Sequence, residues 1–375
     1  SNLSAAVSIS VELPVTQTWH TVTPVECTPG TAGSWQEVDL DSYVGSLGSD
    51  VTGVILHIVN VGNYYNIGLR KNGSTDDRHE SIAASVHCWA AIGVDSSHIF
   101  EAYIGHTTNE DIYIVGYTTT GVTFRTNAAD KSLGTTTQWL DIDCSTEAPS
   151  AVGLIFETTA SVSKDMGLRK NNSTDDRHSS TLHHNCFGWI IGCDSSQVCE
   201  GYIGGTELDF FLVGYITDGV TMNTNATDVS LGTIDEWLDL TALPDNSVMG
   251  FIEVASIGYN YGLEKSGSGE DIFYGVSKHP MGLVECSTSY KIKGKISNVA
   301  VDFFLVGVAA KAAALNYPIS LFSNLSIAIT ISRELAFDRA TSAGLSVSAT
   351  IGKSIARAKS IITGLVASAT LSKQI

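Results

Sequence analysis

The sequence predicts an all-β chain: three tandem antiparallel β-sandwich modules of jelly-roll-like type, flanked at both termini by 20-residue β-strand repeats. Three observations predict it. No stretch longer than about 10 residues carries a helical apolar stripe, a long motif recurs 99 residues after its first appearance, and the C-terminus repeats with a period of 20.

The longer repeat carries most of the reading, because self-similarity at a fixed period marks whole architectures. The string Gly68-Leu69-Arg70-Lys71-Asn72-Gly73-Ser74-Thr75-Asp76-Asp77-Arg78-His79 returns from Gly167 to His178 with one change, Asn172 for Gly73. A decayed third copy begins at Gly262-Leu263-Glu264-Lys265. Other markers move in step: Trp35, Trp139 and Trp237 each open an acidic strand, and Ile114-Val115-Gly116 matches Leu212-Val213-Gly214 and Leu305-Val306-Gly307. Shared order of unrelated markers means duplication. The predicted boundaries are 1–34 for an N-terminal strand repeat and linker, 35–137, 138–235 and 236–314 for the modules, and 315–375 for the C-terminal repeats.

Within a module the local chemistry is strand chemistry. Val54-Ile55-Leu56-His57-Ile58-Val59 is a β-branched run between turn residues, and Asn72-Gly73 predicts a type I′ hairpin turn, which needs positive φ at both positions. Asp95-Ser96-Ser97-His98 and Asp194-Ser195-Ser196-Gln197 predict a second turn. Six to eight short strands in about 100 residues imply a sandwich.

The terminal repeats alternate apolar with small hydroxylated residues, the period of a half-buried strand. Leu325, Ile327, Ile329 and Ile331 align with Leu345, Val347 and Ile351 and with Leu365 and Leu371, and the N-terminal Leu3, Val7, Ile9 and Val11 belong to the same unit. A lone unit cannot bury its apolar face. These residues are therefore candidate assembly strands, through which one chain pairs with another by strand addition; the competing expectation is that both ends meet in one intramolecular sheet.

Composition narrows the function classes. With 43% hydrophobic residues, the chain has ample material for packed cores, while 16% charged residues is low for a soluble domain and suits assemblies that bury surface. The net charge of −18 opposes nucleic-acid backbones, and the only dense basic stretch, Lys291-Ile292-Lys293-Gly294-Lys295, alternates like an exposed strand. No apolar run reaches the roughly 18–20 residues of a membrane helix. No signal peptide is visible and the chain begins at Ser1 rather than Met, so targeting is not readable. Seven cysteines form no CxxC pair; Cys193 and Cys199 are placed to bridge a hairpin, and buried free thiols are the commoner alternative.

Chemistry is sparse. Asp76, Asp77, Asp175 and Asp176 are hard oxygen donors of the kind Ca²⁺ takes, so they are the candidate metal ligands, and no other cofactor is implied. A salt-bridge or turn role explains the same string more simply, since its third copy loses both Arg and His. His183-His184, near His178, has the same status for a transition metal: an exposed loop explains the pair more simply. No nucleophile elbow, metalloprotease or phosphate-loop motif is present, and the chain is read as non-enzymatic. Tyr64, Tyr65, Trp89, Trp189, Tyr259 and Tyr261 are candidate glycan-stacking residues, although core packing explains the two tryptophans more simply.

Repeated β modules with Ala/Ser/Thr-rich strand repeats and few charges resemble, in style across the whole chain, structural proteins of tailed viruses (decoration, tail or fibre type) and subunits of extracellular microbial filaments. The resemblance implies a self-assembling structural subunit at a virion surface or outside the cell, whose partners are further copies of itself and other virion or surface proteins. A glycan-binding adhesin or receptor-binding protein is the alternative.

Overall fold

The computed structural model describes residues 9–12, 17–180, 186–240, 243–256, 258–269, 271–275, 279–311 and 316–319, with backbone alone for 9–12, 186, 187 and 316–319. The β-branched and aromatic runs become strands wherever Gly, Asn, Asp or Ser turns bound them. After β1 (Ile9–Glu12), the first module contributes β2 (Trp19–Glu26), β3 (Trp35–Asp39), the single helical turn α1 (Asp41–Val44), β4 (Gly53–Asn60), β5 (Tyr65–Lys71), β6 (Glu80–Ile82), β7 (Val86–Gly93), β8 (Ile99–Ile104) and β9 (Glu110–Thr118). The second contributes β10 (Val122–Asp130), β11 (Trp139–Asp143), β12 (Gly153–Ala160), β13 (Asp165–Lys170), β14 (Ser179–Ser180), β15 (Cys186–Gly192), β16 (Val198–Ile203) and β17 (Leu208–Ile216). The third contributes β18 (Val220–Asp228), β19 (Leu238–Asp239), β20 (Ser247–Ala255), β21 (Tyr261–Lys265), β22 (Met281–Glu285), β23 (Ile292–Ile296) and β24 (Asp302–Ala310), and β25 (Asn316–Ile319) follows.

Each module makes two small antiparallel sheets with the same crossed strand order. These are β2-β9-β4-β7 with β3-β8-β5-β6, then β10-β17-β12-β15 with β11-β16-β13-β14, then β18-β24-β20-β22 with β19-β23-β21. The sheets follow one another around a ring. The first module's β5 lies against β10 of the second, β13 of the second against β18 of the third, and β20 of the third against β2 of the first. The strands β7, β15 and β22 meet one another at the centre.

This overturns the expectation of three tandem, self-contained sandwiches. The described strands between Thr16 and Ala312 form one compact unit, in which six small sheets are arrayed as in a six-bladed β-propeller. The crossed strand order differs from the sequential order of an up-and-down blade. The burial of the inner strands shows why a sandwich reading fails. All eight residues of β4, of β7 and of β12 are buried, whereas a strand with one solvated face alternates. Strands β8 and β9, further from the centre, do alternate. The sheets also cross the predicted boundaries: Val122–Asp130 falls inside 35–137 yet pairs with β17, and Val220–Asp228 falls inside 138–235 yet pairs with β24.

Two repeated sequence markers have steric causes. At the recurrent Val-Gly, the ladder of β9, β17 and β24 slips by one residue, between Ile55 and Leu56, between Ile155 and Phe156, and between Phe251 and Ile252. A Cβ on Gly116, Gly214 or Gly307 would stand 2.4, 2.8 or 2.8 Å from a neighbouring carbonyl oxygen, so the bulge and the glycine go together. At the start of the long motif, Gly68, Gly167 and Gly262 each lie under the rim of a tryptophan, and a Cβ there would meet Trp35, Trp139 or Trp237 at 2.6, 2.7 or 2.5 Å. The expected type I′ turn is not formed. Only its second position is left-handed, Gly73 at φ 79 and Asn172 at φ 64, because the chain runs on irregularly to Glu80 instead of returning as a two-residue hairpin.

The segments outside this unit form a second one, in which β1 pairs antiparallel with β25, Ile9 opposite Ile319 and Val11 opposite Tyr317. The remaining predicted assembly residues, Leu3, Val7 and those from Leu325 to Leu371, lie outside the described residues.

Replacing Gly167 by Ala is expected to destabilise the protein by about 1–3 kcal/mol, the usual cost of overpacking. The new methyl has a carbonyl oxygen at 2.5 Å and an indole edge at 2.7 Å. The midpoint of urea unfolding checks this, with Gly134→Ala, which faces open space, as the control expected to shift little.

Candidate functional site

The long motif builds the same constellation in the first two modules. Arg70 on β5 sits opposite Glu101 on β8 and binds it through two nitrogens at 2.8 and 3.1 Å. Its guanidinium plane lies 4.0 Å from the centre of the Trp35 ring, a cation–π contact. The Trp35 indole donates to Asp77 at 2.8 Å, and His79 stacks on Tyr103 at 4.0 Å. In the second module Arg169 binds Glu200 at 2.8 Å and covers Trp139 at 4.1 Å, Trp139 donates to Asp176 at 2.8 Å, and His178 stacks on Tyr202 at 3.8 Å. The third module keeps the Trp237 to Asp271 bond at 3.0 Å but reverses the charge pair, with Glu264 opposite Lys293. Lys295 takes the tyrosine's place beside Trp237 and lies 4.4 Å from the Phe273 ring.

The other half of the motif reaches out of its module. Asp76 accepts from the Ala128 amide of β10 at 2.8 Å, and Asn127 accepts from Ser74 and Thr75, both at 2.9 Å. Arg78 is held by Asp76 at 2.9 Å and crosses to Glu157 on β12 at 2.8 Å, with Phe211 under its guanidinium at 4.4 Å. The second copy does the same one module on. Asp175 accepts from Ala226 at 2.7 Å, and Arg177, bonded to Asp175, binds Glu253 on β20 at 2.8 Å. Each motif is therefore a clamp across the seam to the following module.

The seams differ at their centres. Glu253 is bonded on its other oxygen to His279 at 2.7 Å, and the opposite ring nitrogen of His279 lies 3.0 Å from the Met166 carbonyl of the second module. Burial alone would raise the Glu253 carboxyl, but His279 and Arg177 outweigh it and hold the group below its ordinary value. Glu157 is buried with Arg78 as its counter-charge, and burial pushes it up to about 7. At the seam from the third module to the first, the equivalent strand position is His57 and no arginine arrives, because Ile272 stands where the other copies have Arg78 and Arg177. His57 and His87 face each other at 3.0 Å. His87 also lies 3.1 Å from the Tyr261 carbonyl, while the Tyr261 hydroxyl donates to the His87 carbonyl at 2.6 Å. Burial lowers both imidazoles, His57 well below its ordinary value and His87 to about 4.

The predicted site residues disperse. Trp89, Trp189 and Tyr261 are buried, Trp89 stacked on His57 at 4.2 Å, so none presents a face to a sugar. Tyr259 is packed against the core, Tyr65 leans on His106 at 4.7 Å, and Tyr64 alone of the six is largely exposed, at 56%. Asp76 and Asp175 are engaged by arginines and backbone amides, and Asp77 and Asp176 by indoles, so the four do not converge as a Ca²⁺ shell. Among the described residues no group of three His, Cys, Asp or Glu is placed to hold a metal ion. His183 and His184 lie outside the described residues. Cys193 and Cys199 are both free and buried, as are Cys27, Cys144 and Cys286, and Cys88 is buried. Burial pushes the Cys27 and Cys144 thiols up to about 12 and those of Cys193 and Cys286 to about 11, which suits inert core groups.

A small cavity of about 10 Å³ lies at the first seam, bordered by Leu69, Ala91, Phe156 and Glu157. That is room for one water. Glu110 is a buried carboxyl raised to about 7 by burial, and it binds the Gly105 and His106 amides at 2.7 and 2.8 Å. What sequence reasoning missed is the seam set: His57, Glu157, Glu253 and His279. The available signal was the occurrence of His57, Glu157 and Glu253 at one repeat position inside apolar runs. No protein-family model matches this chain, and no curated protein matches it in sequence.

Arg177→Ala would leave Glu253 buried without its guanidinium and is expected to cost roughly 3–5 kcal/mol. Glu253→Gln in that background should recover part of the loss. A double-mutant cycle in chemical denaturation measures the coupling, and additive losses would mean the pair does not act across the seam.

Proposed function

We propose that the chain is a non-enzymatic structural subunit of a virion or an extracellular filament, which assembles through its terminal strand repeats and displays the ring outward. The observation that carries this reading is how the repeated charged groups are used. In the first two motifs the Arg, Asp and Trp bond to one another, and Arg78 and Arg177 cross to the next module. The cavity at the first seam takes about one water. Duplication of a clamp makes a rigid body, which is what a lattice or fibre component needs.

Assembly through the ends is supported by the sequence likeness of the two termini. The ladder of β1 on β25 forms within one chain here. A β1 supplied by a second copy would make the same ladder, and head-to-tail exchange of that kind generates rings or filaments. A sugar-binding reading loses Trp89, Trp189 and Tyr261 to the interior and keeps only Tyr64 as an exposed aromatic from its set.

Negative-stain electron microscopy of the purified chain with and without residues 1–13 tests the proposal. The expected result is rings, filaments or arrays that disappear on truncation. Discrete monomers in both samples would remove the assembly reading.

A further inference from the structure

We propose that the seam between the third and first modules is an acid-released latch: protonation of the paired His57 and His87, neither of which is bonded to a carboxylate, opens the ring there while the other two seams stay closed. The inference goes beyond the assembly reading and does not depend on it.

The geometry sets this seam apart. One repeat position faces each seam from the following module, and it holds Glu157, Glu253 or His57. The two glutamates receive Arg78 and Arg177 from the preceding module, and Glu253 also holds His279. A positive charge on His279 is therefore matched where it stands. His57 instead faces His87, a base like itself, at 3.0 Å with both rings within 4% of full burial. In the neutral pair one ring donates to the other; a first proton adds a buried charge with no counter-charge on either ring, and a doubly protonated pair has no acceptor between the rings. The groups facing the pair are Trp89 from β7, stacked on His57 at 4.2 Å, and Tyr261 from β21, stacked on His87 at 4.4 Å and bonded to it twice. Tyr274, just beyond β21, offers its backbone carbonyl, and Tyr113 stands opposite His57 on β9. Among the described residues no acidic side chain bonds to either ring. The bonds that His87 would surrender are the ones joining β7 of the first module to β21 of the third. What else holds this seam is Trp19 against Phe251 at 5.3 Å and Thr21 donating to Glu285 at 2.8 Å.

The sign of the linkage follows from the directions of the shifts. Both imidazoles are lowered on closing, so the open state binds more protons. The seam is intact above the ordinary histidine value near 6.5 and weakens as the pH falls towards about 4, where His87 itself titrates. Over the upper part of that range the other seams do not weaken. Glu253 is held below its ordinary value and stays ionised, and Glu157, raised to about 7, favours the closed state more as protons are added.

Hydrogen exchange on the full chain, from pH 7.5 to pH 5 with rates corrected for intrinsic pH dependence, tests the latch. Amides of 86–93 and 261–265 should lose at least about tenfold in protection, reversibly, while 153–160 and 165–170 keep theirs. In the His57→Gln/His87→Gln variant, which retains hydrogen-bonding side chains without the charge, the pH dependence should vanish. If that variant does not fold, imidazole titration of the wild-type protein by NMR decides. Values near 6.5 for both rings, protection retained at pH 5, or equal loss at all three seams would overturn the proposal.

Discussion

A guanidinium that leaves its own module and enters a carboxylate buried in the next is the interaction on which the ring depends. Arg78 reaches Glu157 and Arg177 reaches Glu253, in both cases over an aromatic ring and braced by an aspartate from its own loop. A buried charge left alone is costly, so each glutamate is tolerable only when the preceding module is docked. Docking in turn covers the second face of the inner sheets. The polar clamp fixes register and neighbour, and the apolar surface around it supplies the driving force.

Decay of the third copy follows from its place in the ring. Its loop faces the first module, which begins the chain and carries His57 where the others carry glutamate. An arginine there would have no carboxylate to meet, and Ile272 occupies the position. In that module Glu264 stands opposite Lys293, the reverse of the Arg-Glu order of the other two, and Glu264 accepts from Ser268 instead. The inward half of the motif supports the tryptophan, and the outward half needs a receiving seam.

This division also separates what was legible from what was not. The tryptophan, glycine and acidic residue of each copy could be matched by eye, and their contacts are local to a module. The Val-Gly marker was equally visible, though its meaning as a bulge required the partner strand. Invisible were the receivers, because Glu157 and Glu253 are single residues in apolar strands that bear no resemblance to a motif. The same blindness left Trp89, Trp189 and Tyr261 open between two uses, since their rings are amphipathic enough to suit a sugar or a core and are decided only by what lies over them.

Strand identity, duplication and the Gly and Asn turn positions were determined by the sequence itself, since β-branching, positive φ and period are properties of a residue and its near neighbours. Which faces are covered was decided by the tertiary structure. Continuous apolar runs such as Val54–Val59 fit a strand buried on both faces, but only the closure of six sheets upon one another supplies the second cover. Burial depends on chain segments tens to hundreds of residues away, and no local pattern encodes their approach.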